Sequence, residues 1–92
     1  MTDLLLEIKL VVVDLRNALS TMAVPFNLID PIEALEGINP ENPNETVLTV
    51  KDVIAKLEVG IKYADSIWYH KIADRVFSNV SMLNYGLYRN TL

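Results

Sequence analysis

A chain of 92 residues with 51% apolar side chains forms one domain with a modest core, which excludes wholesale disorder. Cysteine is absent, which removes disulfides and thiolate metal sites and fits a reducing, cytoplasmic compartment. The net charge of −4 gathers in residues 30–45, where Asp30, Glu33, Glu36, Glu41 and Glu45 stand without a base; no dense basic face exists, so nucleic acid is not an expected partner.

Residues 3–22 read as a helix starting at Thr2 or Asp3. Leu4, Ile8, Val11, Leu15, Ala18, Leu19 and Met22 make one broad face at spacings of three and four. Leu6, Leu10 and Val13 make a second apolar strip on roughly the other side. Between the two run an acidic stripe (Asp3, Glu7, Asp14, with Asn17 and Thr21) and a small basic one (Lys9, Arg16). A helix with two apolar faces needs two partners, and the second is expected to be another copy of the chain. A competing reading takes Leu6–Val13 as a β-strand, because Leu6-Glu7-Ile8-Lys9-Leu10 alternates and valines follow. The N-terminus does not read as a signal peptide, since Asp3 and Glu7 occupy the place of positive charge. The Leu4–Leu15 run carries Glu7, Lys9 and Asp14, so no membrane span is expected.

All four prolines fall in the acidic connector, residues 25–45. Asp30-Pro31 followed by Gly37 predicts a short helix over about 31–36, with an aspartate cap, proline at the first helical position and a terminating glycine. The stretch Ile38 to Glu45 is polar and turn-rich, and Thr46-Val47-Leu48 is expected to be extended.

Thr49, with Asp52 three residues on, marks the expected start of a long helix over about 50–84. Val50, Val53, Ile54, Leu57, Ile61, Ala64 and Trp68 share one face. Tyr69, Ile72, Ala73, Val76, Phe77, Val80 and Leu83 share another, rotated by about 100°. A straight helix cannot bury both against one partner, so a break or kink is expected between Ser66 and His70, with one uninterrupted helix as the alternative. Asn84-Tyr85-Gly86 reads as the helix end, with Gly86 as a left-handed cap and residues 86–92 as a tail.

No catalytic constellation stands out. Glu33-x-x-Glu36 with Glu58 and Asp65 holds oxygen ligands for Mg²⁺, as a carboxylate-cluster hydrolase of the all-α pyrophosphohydrolase type would need. The second Glu-x-x-Asp motif of such enzymes is missing, so the four read as solvated surface charge. His70, with Ser66 and Asp74 four residues to either side, would form a stack along one helix and not a triad. No catalytic residue, metal site or cofactor is therefore expected. Aromatic and basic residues concentrate around Tyr63, Trp68, Tyr69, His70, Lys71 and Arg75. With Arg89 they are the candidate partner or ligand surface, Trp68 being instead assigned to self-contact.

The expectation is thus an all-α helical hairpin with a short connector helix, assembling into a homo-oligomeric bundle, because a two-helix hairpin alone buries too little. Leu6, Leu10, Val13, Trp68, Val76 and Phe77 are the expected self-interface. The expected function is a non-enzymatic protein–protein interaction module that regulates or scaffolds another protein. The alternative is a nucleotide or small anion held at a subunit interface by Tyr69, Lys71, Arg75 or Arg89.

Overall fold

The computed structural model describes residues 2–21, 24, 27–64 and 70–90, the side chains of Tyr63, Ala64, His70 and Lys71 excepted. Four helices follow in order: α1 (Thr2–Thr21), α2 (Ile29–Glu36), α3 (Pro43–Ala64) and α4 (His70–Asn90). No strand occurs among the described residues, so Leu6–Val13 is helical and the strand reading falls.

α1 contains neither glycine nor proline, and Asp3 in its first turn complements the helix dipole. Its residues Leu4, Ile8, Val11, Leu15 and Ala18 are all buried, as the main periodicity requires. α2 begins earlier than the Asp30-Pro31 signal implies. Leu28 takes the cap position without a side-chain bond. The capping falls to Asn27, whose Oδ1 accepts the Ile29 and Asp30 N–H groups at 2.9 and 3.3 Å while its Nδ2 donates to Asp30 Oδ2 at 2.7 Å. Gly37 ends the helix by donating its N–H to Glu33 O at 2.9 Å. Its φ of −83° is right-handed, so no left-handed cap forms there.

α3 begins at Pro43, a full turn and more before the expected start. Thr49 lies within it, and Thr46-Val47-Leu48 is helical and not extended. The true cap is Asn42. Its Oδ1 accepts the Glu45 N–H at 3.3 Å and its Nδ2 donates to Glu45 Oε2 at 2.9 Å, a reciprocal box around a proline at the first helical position. Thr46, 1% exposed, seals the start by donating its hydroxyl to Asn42 O at 3.0 Å.

The change of apolar face expected between Ser66 and His70 falls between α3 and α4, and residues 65–69 lie outside the described residues. α4 does not stop at Gly86; it continues to Asn90, so no separate tail begins at 86. Gly86 has a different task. A Cβ placed on it would lie 3.0 Å from Leu4 Cδ1 and 3.3 Å from Glu7 Cβ, so its bare backbone lets α4 approach α1.

The expected two-helix hairpin is in fact a four-helix unit within one chain. α1 packs on α4, α4 on α3, α3 on α2 and α2 back on α1. Contacts of Asp3 with Arg89 and of Asp14 with Arg75 run in opposite chain directions, so α1 and α4 are antiparallel. The five residues between α3 and α4 reach about 20 Å, too short to return along a helix of about 30 Å, so these two are antiparallel as well. Leu28, Ile32, Leu35, Val50, Val53, Ile54, Leu57, Ile72, Val76, Val80 and Leu83 join the α1 face in one core. The radius of gyration is 12.8 Å, close to the roughly 12 Å of a compact chain of this length. One copy thus builds its own core, and the need for a partner to complete it disappears.

Candidate interaction surface

α1 presents four distinct sides. The core side is closed: Leu4, Val11, Leu15 and Ala18 are each 0% exposed. The side toward α4 is polar. Arg75 Nε donates to Asp14 Oδ1 and Oδ2 at 3.1 and 3.2 Å, and its Nη2 donates to Oδ1 at 2.9 Å. Asn79, 1% exposed, donates its Nδ2 hydrogens to Asp14 Oδ2 at 2.7 Å and to Arg75 O at 2.8 Å. The Arg75 guanidinium holds the Asp14 carboxyl below the usual carboxylate range, against the opposing effect of partial burial. Farther along the same side, Arg89 Nε lies 3.4 Å from Asp3 Oδ2. The side toward α2 carries Leu5 and Val12, partly buried, and Arg16, which grips Glu36 through bonds of 2.9 and 2.6 Å. That pair draws the Glu36 carboxyl below its ordinary range.

The fourth side faces outward. Leu6 is 54%, Leu10 47% and Val13 69% exposed, a continuous strip that no described residue covers. Phe77 on α4 is likewise exposed. Val76, also expected at the self-interface, is fully buried in the chain's own core. Its neighbour Phe77 lies about 100° further round the helix and takes the outward place. Trp68 and Tyr69 lie outside the described residues, as do the side chains of Tyr63, His70 and Lys71.

Of the four candidate anion ligands, Tyr69 and the Lys71 side chain lie outside the described residues. Arg75 and Arg89 are 14 residues apart on one helix, about 21 Å along its axis, and each is engaged by a carboxylate of α1. Of the carboxylates, Glu36 is occupied by Arg16, Glu33 and Glu58 are exposed on different helices, and Asp65 lies outside the described residues. Among the described residues no three His, Asp or Glu side chains are gathered to hold a metal ion. No described helix is long and apolar enough to cross a membrane.

Further exposed apolar side chains were not singled out by the sequence: Ile29, Leu48, Val59, Tyr85 and Tyr88. Tyr85 and Tyr88 become legible only once α4 is known to run on to Asn90, which puts both on its outward half with Phe77. An open groove of about 530 Å³ lies between α1 and the end of α2, lined chiefly by Leu5, Ile8, Val12, Leu35 and Ile38. Comparison with known proteins finds no matching family model, no matching curated protein and no matching solved structure.

Proposed function

We propose that this protein is a non-enzymatic interaction module that works as a homo-oligomer and binds another protein to regulate or scaffold it. The observation that carries the reading is the α1 strip. Leu6, Leu10 and Val13 are about half exposed or more although the core is closed without them. Three large apolar side chains on one helix face form a contiguous patch, the kind that marks association surfaces on soluble domains. The exposed aromatic side chains of α4, Phe77, Tyr85 and Tyr88, supply a second surface of the composition that anchors protein partners.

Sedimentation equilibrium from micromolar to millimolar concentration tests the first half of the reading. The wild type is expected to self-associate. Leu10→Asp is expected to remain monomeric with its helical circular dichroism intact, at a cost to monomer stability of about 1 kcal/mol or less, because Leu10 is already 47% exposed. A wild type that stays monomeric throughout overturns the homo-oligomer.

A further inference from the structure

We propose that α1 pairs in parallel with α1 of a second copy, about a two-fold axis running along the helices. This rests on the homo-oligomer reading and adds to it the surface, the direction and the register. Leu6, Leu10, Val13 and Asn17 follow one another at spacings of four, three and four, the d, a, d, a seam of a coiled coil. All four are exposed. Asp3, at the preceding a position, is turned toward Arg89 of its own α4, so the apolar seam begins at Leu6.

The two flanks of the seam carry opposite charge. Lys9 and Arg16 occupy g positions; Glu7 and Asp14 occupy e positions. In a parallel pair the g flank of one helix meets the e flank of the other. Lys9 then faces the partner's Asp14, twice by symmetry. In an antiparallel pair like flanks meet. Lys9 would face the partner's Arg16 and Glu7 the partner's Asp14, which places like charges together at every flank contact. Among the described residues Lys9 makes no ion pair inside its own chain, and the Asp14 side chain keeps 38% exposure beyond Arg75 and Asn79.

Asn17 points the same way. Its backbone carbonyl accepts the hydroxyls of Ser20 and Thr21 at 3.0 and 2.7 Å, but its side-chain amide makes no hydrogen bond among the described residues. At an a position of a parallel pair the two amides meet across the axis and bond to each other, the device by which a seam asparagine fixes register. An antiparallel pair would instead set that amide against the partner's Leu6. A seam of this length buries on the order of 1,000 Å², the lower edge of specific interfaces, so the pair forms reversibly and responds to concentration.

Lys9→Glu separates the two directions by sign. The exposed side chain has no ion-pair partner to lose among the described residues. In the parallel pair the new carboxylate meets the partner's Asp14, and the dimer dissociation constant measured by sedimentation rises about tenfold. In an antiparallel pair it would meet the partner's Arg16 and the constant would fall, which overturns the proposal. The chain has no cysteine, so Asn17→Cys introduces a single thiol at the axis. Under mild oxidation it is expected to form a disulfide dimer at least ten times faster than Lys51→Cys on the outer side of α3. A disulfide that forms only between Asn17→Cys and Leu6→Cys chains overturns the parallel direction. A wild-type dimer in which Asn17→Cys does not cross-link overturns the α1 seam but leaves self-association standing. A wild type that never dimerises removes both.

Discussion

Gly86→Ala and Gly37→Ala are expected to change stability in opposite directions. Both replace a glycine at or within a helix end, and helix propensity alone favours alanine by about 1 kcal/mol in a helix interior. At Gly86 the new Cβ would sit 3.0 Å from Leu4 Cδ1 and 3.3 Å from both Glu7 Cβ and Cγ. Carbon atoms rest at about 3.5–4.0 Å, so three contacts are too close. Leu4 is 0% exposed, so it cannot give way toward solvent. Glu7 Cβ is fixed to the α1 backbone, so relief there means moving the helix, which Asp3–Arg89 and Asp14–Arg75 hold from both sides. Overpacking of this kind costs about 1–3 kcal/mol, which exceeds the propensity gain and leaves a net loss of about 1 kcal/mol. At Gly37 the nearest atoms to a new Cβ are Glu33 O at 3.4 Å and Ala34 O at 3.8 Å, and the φ of −83° suits any residue. Alanine there narrows the unfolded ensemble and stabilises by about 0.4–1 kcal/mol. Thermal unfolding followed by circular dichroism reads both, since about 1 kcal/mol moves the midpoint of a domain this size by about 4–8 °C. A Gly86→Ala protein that melts above the wild type would refute the close packing of α4 on α1.

Asn79→Ala should destabilise by about 2 kcal/mol in urea titration, because Asn79 is 1% exposed and loses bonds to both Asp14 and the Arg75 carbonyl. The Asp14 carboxyl is held below its ordinary range when folded, chiefly by its bonds from Arg75. Its contribution is therefore complete above the unfolded value of about 3.9 and is lost as pH falls through the lower folded value. An acid-unfolding series on wild type and Asp14→Asn should show that loss only in the former, modest in size because the carboxylate is 38% exposed. Asn42→Ala removes the cap of α3 and should cost about 1 kcal/mol by the same urea assay, whereas Thr49→Ala, mid-helix, should not lower stability by a cap's worth.

The sequence exposes what depends on periodicity and hides what depends on neighbours. Leu4, Ile8, Val11, Leu15 and Ala18 all lie in the core because their spacing of three and four fits one helix face, which prevails over the shorter alternation of Leu6 to Leu10. The shift of apolar face after Ala64 likewise follows from counting, since no single helix orients Leu57 and Val80 toward one partner. Thr49 with Asp52 reads as the start of α3, whereas the structure caps the helix at a second place, Asn42 with Glu45. The second prevails because proline at the first position and reciprocal side-chain bonds favour it, and because the added turn buries Thr46. Gly86 reads as a stop until α1 is laid beside it. Asn79 gives no apolar signal at all; it is buried because Asp14, from another helix, supplies an acceptor. Val76 and Phe77 share an apolar face and both read as self-interface, and only the rotation of α4 against α1 and α3 decides that the valine goes in.

Exposure alone does not make a surface functional, since single apolar side chains stand in water on every soluble protein. Spacing separates the cases here. On α3, Leu48 and Val59 are 66% and 55% exposed, but Asp52, paired with Lys56 at 3.0 Å, interrupts the line between them. On α4, Ser81 and Asn84 come between Phe77 and Tyr88, so its aromatic side chains stand as separate anchors and form no continuous seam. α1 alone sets three consecutive seam positions with apolar side chains and closes the series with an amide. The charges nearest the strip are also partitioned. Asp3, Asp14 and Arg16 are drawn aside by Arg89, Arg75 and Glu36, and each of those pairs also fastens α1 to a neighbouring helix. The contacts that hold α1 in the bundle thereby keep these charges on the flanks of its outer side, so the same salt bridges that fix the fold leave the apolar line between the flanks clear.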